Sequence, residues 1–169
     1  MYKRVLVPLD GSRLAEGILP FILQIASPLD LEVVLIYVVR PIAPQAIEGT
    51  RHFTVDDVPA RLREAREYLA PVAANLREGG VRVTTGVRHG EPVAEIVAAA
   101  RETEAGLIAM TTHGRTGFGR LLFGSVAEAV LRQAEMPVLM MRLTDRRAMA
   151  SSRAAAASAG GSDESDERD

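Results

Sequence analysis

The chain has 169 residues, a formal net charge of −2, 47% apolar and 25% charged residues, which suggests one globular domain with a sizeable core. The absence of cysteine excludes disulfides and thiolate metal sites, and His52, His89 and His113 lie too far apart for metal-ligand spacing. The charge shows no basic surplus, which argues against a nucleic-acid-binding protein. No apolar run has the length of a membrane span or a signal peptide, so we expect a cytoplasmic protein.

The first third of the sequence predicts a strand, a helix and a second strand. Val5–Leu9 is a short apolar run that ends in Asp-Gly-Ser, a pattern typical of a buried strand that enters a turn. From Ser12, the predicted N-cap, apolar residues recur at helical spacing as far as Ile25. Leu31–Val39 is a nearly continuous β-branched run, which is typical of a strand covered on both faces. The prolines and glycine of Arg40–Asp57 predict a long loop.

The rest of the sequence alternates between helices and strands as far as Leu143. The patterns predict, in chain order, an amphipathic helix at 58–80 kinked at Pro71, a strand at 81–87, a helix at 91–105, a strand at 106–112, a helix at 121–135 and a last strand, Pro137–Leu143. Such alternation gives a parallel sheet with helices on both faces, joined by right-handed crossovers. We therefore predict an α/β domain over residues 1–144 and a disordered, acidic tail rich in Ala, Ser and Gly over residues 145–169.

The stretch TTHGRTGFGRLLFGSVAEAV, Thr111 to Val130, contains four glycines, which follow the fourth strand and extend to the start of the last helix. Ligands of open α/β sheets bind at the carboxyl ends of the strands, and a helix N-terminus suits phosphate because its first N–H groups are unpaired. Gly124 would let a phosphate reach the backbone, and Ser125 would cap the helix or donate its hydroxyl. The glycines alone are equally compatible with chain reversal. The stretch is neither a P-loop nor a GxGxxG fingerprint.

The combined pattern resembles the ATP-binding branch of the universal stress protein family. The signature of that family is Gly-x-x-Gly, nine residues and Gly-Ser before a final PVLxx strand. Here Gly114 is the second glycine, RTGFGRLLF supplies the nine residues, and Gly124-Ser125 closes the pattern. The start VLVPLDGS is similar to the first strand and turn of the family, with Pro8 and Asp10 in place. The resemblance covers Met1 to Arg142 and implies a Rossmann-like nucleotide-binding fold.

The resemblance also implies a site for ATP built from three strand ends and the last helix. The implied contacts are Pro8 and Leu9 beside the base, Asp10 on the ribose, the backbone of Val38 on the adenine edge, Met110 on the nucleoside, and Gly114, Gly124, Ser125 and the Val126 N–H on the triphosphate. The first glycine of the signature is Thr111 in this chain, and its side chain would weaken binding or shift the ligand. A Mg²⁺ ion on the phosphates and slow ATP hydrolysis are compatible with this site, but no general base is identifiable and no residue is assigned a catalytic role.

The last strand is expected to mediate association. The long loop after the second strand gives the strand order 3-2-1-4-5, in which Pro137–Leu143 is a sheet edge. Exposed apolar edges invite pairing with another strand. The resemblance implies a homodimer formed through this strand, and the alternative is an edge covered by the tail.

Two other functions are compatible with the sequence. A universal-stress-like dimer that binds no nucleotide would act as an interaction protein, and the substitution at Thr111 keeps this alternative open. A Ser/His/Asp hydrolase would require Asp10, Ser12, His89 and His113 to gather at one end of the sheet. The absence of a GxSxG nucleophile elbow around Ser125 argues against the hydrolase.

Overall fold

The computed structural model describes residues 3–41, 57–113 and 124–143, apart from the side chain of His113. Within these ranges the strands are β1 (Arg4–Leu9), β2 (Glu32–Val39), β3 (Arg82–His89), β4 (Leu107–His113) and β5 (Val138–Leu143). The helices are α1 (Arg13–Glu16), α2 (Leu19–Ala26), α3 (Val58–Glu78), α4 (Pro92–Glu102) and α5 (Ser125–Gln133). All strands are parallel and lie in the order β3-β2-β1-β4-β5, which confirms the predicted open α/β sheet.

The two faces of the sheet are covered by different helices. On one face, which we call the α2–α3 face, Val7 and Leu35 pack with buried residues of α2 and α3. On the other, the α4–α5 face, Leu6 and Ile36 pack with buried residues of α4 and α5. The central strands β1 and β2 are therefore buried on both faces, which explains why their sequences are nearly continuous apolar runs rather than alternating ones.

The single helix predicted from Ser12 is wrong, because the structure contains two helices, α1 and α2, separated at Gly17. Pro20 explains the break. It has no N–H to donate to the carbonyl of Glu16, and its ring would clash with that carbonyl in a continuous helix. Pro20 lies in the first turn of α2, where a backbone N–H has no intrahelical partner, so the proline costs no hydrogen bond there. Gly17 suits the junction, since a Cβ there would collide with the side chain of Leu143 at the end of β5.

The other predicted elements agree closely with the observed ones. The helix α3 includes Pro71 within one uninterrupted helical segment of 21 residues. The described part of the last helix begins at Ser125. Residues 42–56 of the predicted long loop, 114–123 of the glycine-containing stretch, and 144–169, which include the predicted tail, lie outside the described residues.

Candidate functional site

A crevice begins between β1 and β4 at the carboxyl end of the sheet. The strand β1 pairs with β2 along its whole length, but with β4 its register contains only Val5–Leu107 and Leu6–Ile108. Pro8 lies two residues beyond the last of these pairs and has no N–H to donate to a ladder. The two strands thus stop pairing at the point where the strand order reverses, which is where open α/β sheets bind ligands.

Asp10 follows β1 in a tight turn that fixes its carboxylate. The Ser12 N–H donates to Oδ1 of Asp10 at 2.9 Å, and Gly11 has a φ of +80°, which glycine adopts without steric cost. The Ser12 hydroxyl accepts from the Ala15 N–H at 3.1 Å, which confirms that Ser12 caps α1. Asp10 is exposed, and the turn leaves its Oδ2 oxygen as an acceptor for a ligand.

The residues expected beside the base offer their backbone rather than their side chains. The side chain of Leu9 is buried on the α2–α3 face, that of Val38 packs on the α4–α5 face, and Pro8 is half-buried. The register between β1 and β2 ends at Leu9–Tyr37, whereas Val38 still pairs with Arg88 of β3. Val38 therefore lies just past the end of the β1 ladder, where its backbone can meet a ligand.

Met110 and Thr111 face opposite sides of the sheet, because neighbouring residues of a strand alternate. Met110 is buried among the residues of the α4–α5 face. The Thr111 hydroxyl instead donates to the carbonyl of Leu14 in α1 at 3.0 Å. The side chain that stands in place of the first glycine of the signature is thus directed at α1, away from the face that carries α5.

The helix α5 starts at the same end of the sheet. Gly124 is its N-cap, and among the described residues no side chain hydrogen-bonds its first N–H groups. Of the two roles that the sequence leaves open for Ser125, the cap is not observed, since Ser125 is the exposed first helical residue, and the donation of its hydroxyl to a ligand stays a prediction. The unpaired N–H groups and positive dipole end of such a helix start suit an anion. Gly114, the other predicted phosphate contact, lies outside the described residues.

A cavity of about 420 Å³ adjoins the Asp10 turn. It is lined in part by Gly11 after β1, Tyr37 and Val38 at the end of β2, and Tyr68 of α3. Its volume is in the range of small-molecule pockets. The carboxyl ends of β1 and β2 and the flank of α3 therefore border a hollow, open to solvent, beside the Asp10 turn.

Two tyrosines connect this cavity with the Asp10 turn. The rings of Tyr37 and Tyr68 meet edge-on, with centroids 5.7 Å apart and planes at 70°. The Tyr68 hydroxyl donates to Oε1 of Glu16 at 2.8 Å, and burial together with this hydrogen bond raises the pKa of Tyr68. Sequence reasoning missed both tyrosines, because each stands at an ordinary core position of its own element and nothing in the sequence indicates that the two meet.

The sequence model described as the Universal stress protein family matches residues 1–142 of the chain. The chain belongs to the universal stress protein family. A curated relative, the universal stress protein MJ0531 of Methanocaldococcus jannaschii, is 36% identical over 144 residues, which cover 84% of this chain and 83% of the relative. The family resemblance that the sequence indicated is therefore confirmed.

Solved structures of similar proteins share the fold. The structure of MJ0577, also from Methanocaldococcus jannaschii, has a TM-score of 0.70 and 28% identity, covering 86% of this chain and 99% of that chain. A universal stress protein from Archaeoglobus fulgidus, solved in complex with dAMP, has a TM-score of 0.60 and 25% identity, covering 82% of this chain and 97% of that chain.

Of the four residues of the alternative hydrolase, Asp10, Ser12 and His89 have side chains that the structure describes, and His89 lies two strands away from the other two in this universal stress protein. Asp10 and Ser12 lie together, but their side chains are engaged by the turn and by the cap of α1. His89 lies at the end of β3, where it pairs with Val39. In the described ranges no three His, Cys, Asp or Glu side chains are grouped as they would be to bind a metal. The described helices also include none that is both long and apolar enough to cross a bilayer.

Proposed function

We propose that this universal stress protein binds ATP at the crevice between β1 and β4, and that nucleotide occupancy is what its partners sense in a cytoplasmic stress response. The observation that carries the proposal is the start of α5, where Gly124 has no side chain and no side chain of the described residues caps the first N–H groups. A charged phosphate is the kind of group that such a helix start binds. The Archaeoglobus fulgidus relative solved with dAMP supports an adenine nucleotide as the ligand class.

The other contacts of the nucleotide come from the strand ends. Asp10 offers Oδ2 to a ribose hydroxyl, since Oδ1 already accepts from the Ser12 N–H. The backbone of Val38, just beyond the β1–β2 ladder, reads the adenine edge, with Pro8 and Leu9 beside the base and Met110 behind the nucleoside. The phosphates lie against Gly124, Ser125 and the Val126 N–H, with Gly114 and Thr111 nearby. A Mg²⁺ ion enters with the phosphates as their counterion.

Nucleotide release and calorimetry test the proposal. Denaturing the purified protein should release ultraviolet-absorbing adenine into the supernatant, and protein stripped of nucleotide should bind added ATP with a saturable heat signal. Protein that is empty as purified and also fails to bind added ATP would overturn the proposal and favour the interaction protein that binds no nucleotide.

Gly124→Val tests where the phosphates lie. Gly124 has a φ of −57° and a ψ of 145°, so valine is tolerated by the backbone, while its branched side chain occupies the space in front of the first N–H groups. We expect ATP to bind at least about tenfold more weakly, a loss of about 1.4 kcal/mol. The matched control is Gly86→Ala in β3, where a Cβ would only reach Ile36 Cγ2 at 3.7 Å. Unchanged affinity in Gly124→Val would contradict the assignment.

We also propose that the protein is a homodimer formed through β5. This strand is the edge of the sheet and pairs with β4 from Ile108–Val138 to His113–Leu143. Leu139 and Met141 are partly buried against the α2–α3 face, so the strand is apolar, and Pro137 precedes it without interrupting it. An apolar edge of this kind is a template for pairing with a second copy.

A further inference from the structure

The turn that carries Asp10 is supported from one side of β1. The pairing of β1 with β4 ends at Leu6–Ile108, so on the β4 side no ladder continues to the end of the strand. On the β2 side the ladder continues to Leu9–Tyr37. The far end of the turn is held through α1, where the Thr111 hydroxyl of β4 donates to the Leu14 carbonyl, whereas the Asp10 end meets the sheet through contacts made from β2.

Tyr37 of β2 makes those contacts with its side chain. Its hydroxyl donates to the carbonyl of Asp10 at 3.4 Å. Its ring lies over the turn, since a Cβ built on Gly11 would come within 3.8 Å of Cε2 of Tyr37. The hydrogen bond is long and exposed, so it adds little to the stability of the fold, but it joins the backbone of Asp10 to a neighbouring strand.

The ring of Tyr68 packs against that of Tyr37. The two rings are in edge-on contact, and this contact does not involve the Tyr68 hydroxyl, which donates to Oε1 of Glu16 in α1. The two hydroxyls therefore have different roles. That of Tyr68 joins α3 to α1, whereas that of Tyr37 reaches the backbone of the turn that presents the Asp10 carboxylate.

We propose that Tyr37 is a positioning residue that holds the Asp10 turn so that Oδ2 of Asp10 faces a ribose hydroxyl of the nucleotide. The inference rests on the proposed nucleotide site and adds to it a residue that does not itself contact the ligand. The hydrogen bond from Ser12 fixes the carboxylate within the turn, and the hydrogen bond from Tyr37 fixes the turn on the sheet. Without the latter, the backbone of Asp10 loses its hydrogen bond to β2, and the contact of Oδ2 with the ribose weakens.

Binding of ATP and 2′,3′-dideoxyATP to Tyr37→Phe tests this role by calorimetry. The wild-type protein should prefer ATP, because the analogue has no ribose hydroxyls to donate to Asp10. Tyr37→Phe keeps the ring and removes the hydroxyl, so we expect about threefold weaker binding of ATP and unchanged binding of the analogue. In an Asp10→Ala background the same substitution should have no effect on ATP, because the carboxylate that it orients is gone.

Tyr68→Phe is the matched control. It removes a shorter hydrogen bond to a carboxylate and should lower the melting temperature more than Tyr37→Phe does, yet leave the ratio of ATP to dideoxyATP affinity at the wild-type value. A wild-type protein that binds neither nucleotide would overturn the proposed function and this role with it. A wild-type protein that binds ATP, combined with an unaltered ratio in Tyr37→Phe or an equal change in Tyr68→Phe, would overturn the role of Tyr37 alone.

Discussion

Thr111→Val isolates the hydrogen bond that joins β4 to α1. Valine has nearly the shape of threonine and suits a strand, so the substitution removes the hydroxyl that donates to the Leu14 carbonyl while keeping the Cβ and its branches. Thr111 stands in place of the family glycine, and the substitution separates the effect of its bulk from the effect of its hydrogen bond.

The expected cost follows from the surroundings of the Leu14 carbonyl. A hydrogen bond of this kind contributes about 1 kcal/mol net. The carbonyl also accepts from the Gly17 N–H at 3.1 Å, so Thr111→Val does not leave it without a partner. We therefore expect a loss of about 0.5–1 kcal/mol in the free energy of unfolding, or about 2–3 °C in melting temperature. Thr111→Gly also adds the entropy of a strand glycine and should cost about 1–2 kcal/mol.

Neither variant should alter ATP affinity by more than about twofold, because the Thr111 side chain is directed at α1 and not at the face that carries α5. Urea unfolding gives the stability difference and calorimetry gives the affinity. If Thr111→Gly binds ATP much more tightly than the wild type, the threonine obstructs the ligand and the reasoning from its orientation is refuted. Equal stability of wild type and Thr111→Val would refute the structural role of the hydroxyl.

Three further predictions concern the strand edge, a left-handed residue and an ion pair. Met141→Lys places a charge on β5 and should give a monomer by sedimentation, and an unchanged dimer would contradict pairing through this strand. Glu104 has a φ of +52°, and its exposed carboxylate makes only a long ion pair with Arg4, at 3.6 Å. Glu104→Gly should therefore raise the free energy of unfolding by about 0.5 kcal/mol, and a decrease would contradict this interpretation of its backbone. The hydrogen bond from Arg4 Nε at 2.8 Å lowers the pKa of Glu32 in the folded protein. The pair therefore contributes its full share to the stability above the pKa of unfolded Glu32, about 4.3, and this share is lost as the pH falls through the pKa of folded Glu32. Glu32→Gln should therefore be less stable than wild type at pH 7, and the two should converge in urea unfolding as the pH falls below the folded pKa of Glu32. A stability difference independent of pH would contradict the assignment.

The strands could be predicted from the sequence because their burial determines their composition. The β-branched run from Leu31 gave β2 to within one residue, since a strand covered on both faces admits few polar side chains. The order of the strands followed from the long loop and the right-handed crossovers. The break at Gly17 was missed because the apolar spacing continues across it, whereas Pro20 removes the hydrogen bond that continuity requires.

Residues of the candidate site could be predicted only where a short local sequence pattern indicates them. Asp10 and Gly124-Ser125 could be proposed as ligand contacts because each stands in a short motif with a mechanism, a turn carboxylate and a helix start. Tyr37 was not found, since its role depends on tertiary contact with Gly11 and Tyr68, which come from other elements. The orientation of Thr111 could not be predicted either, because it depends on where α1 ends and on how close the Leu14 carbonyl of that helix lies to β4.

A crystal structure determined with excess ATP tests the central claim most directly. The account predicts phosphate oxygens within hydrogen-bond distance of the N–H groups of Ser125 and Val126, and a ribose hydroxyl on Oδ2 of Asp10. Solvent alone at the start of α5, or side chains that fill the crevice between β1 and β4, would contradict it.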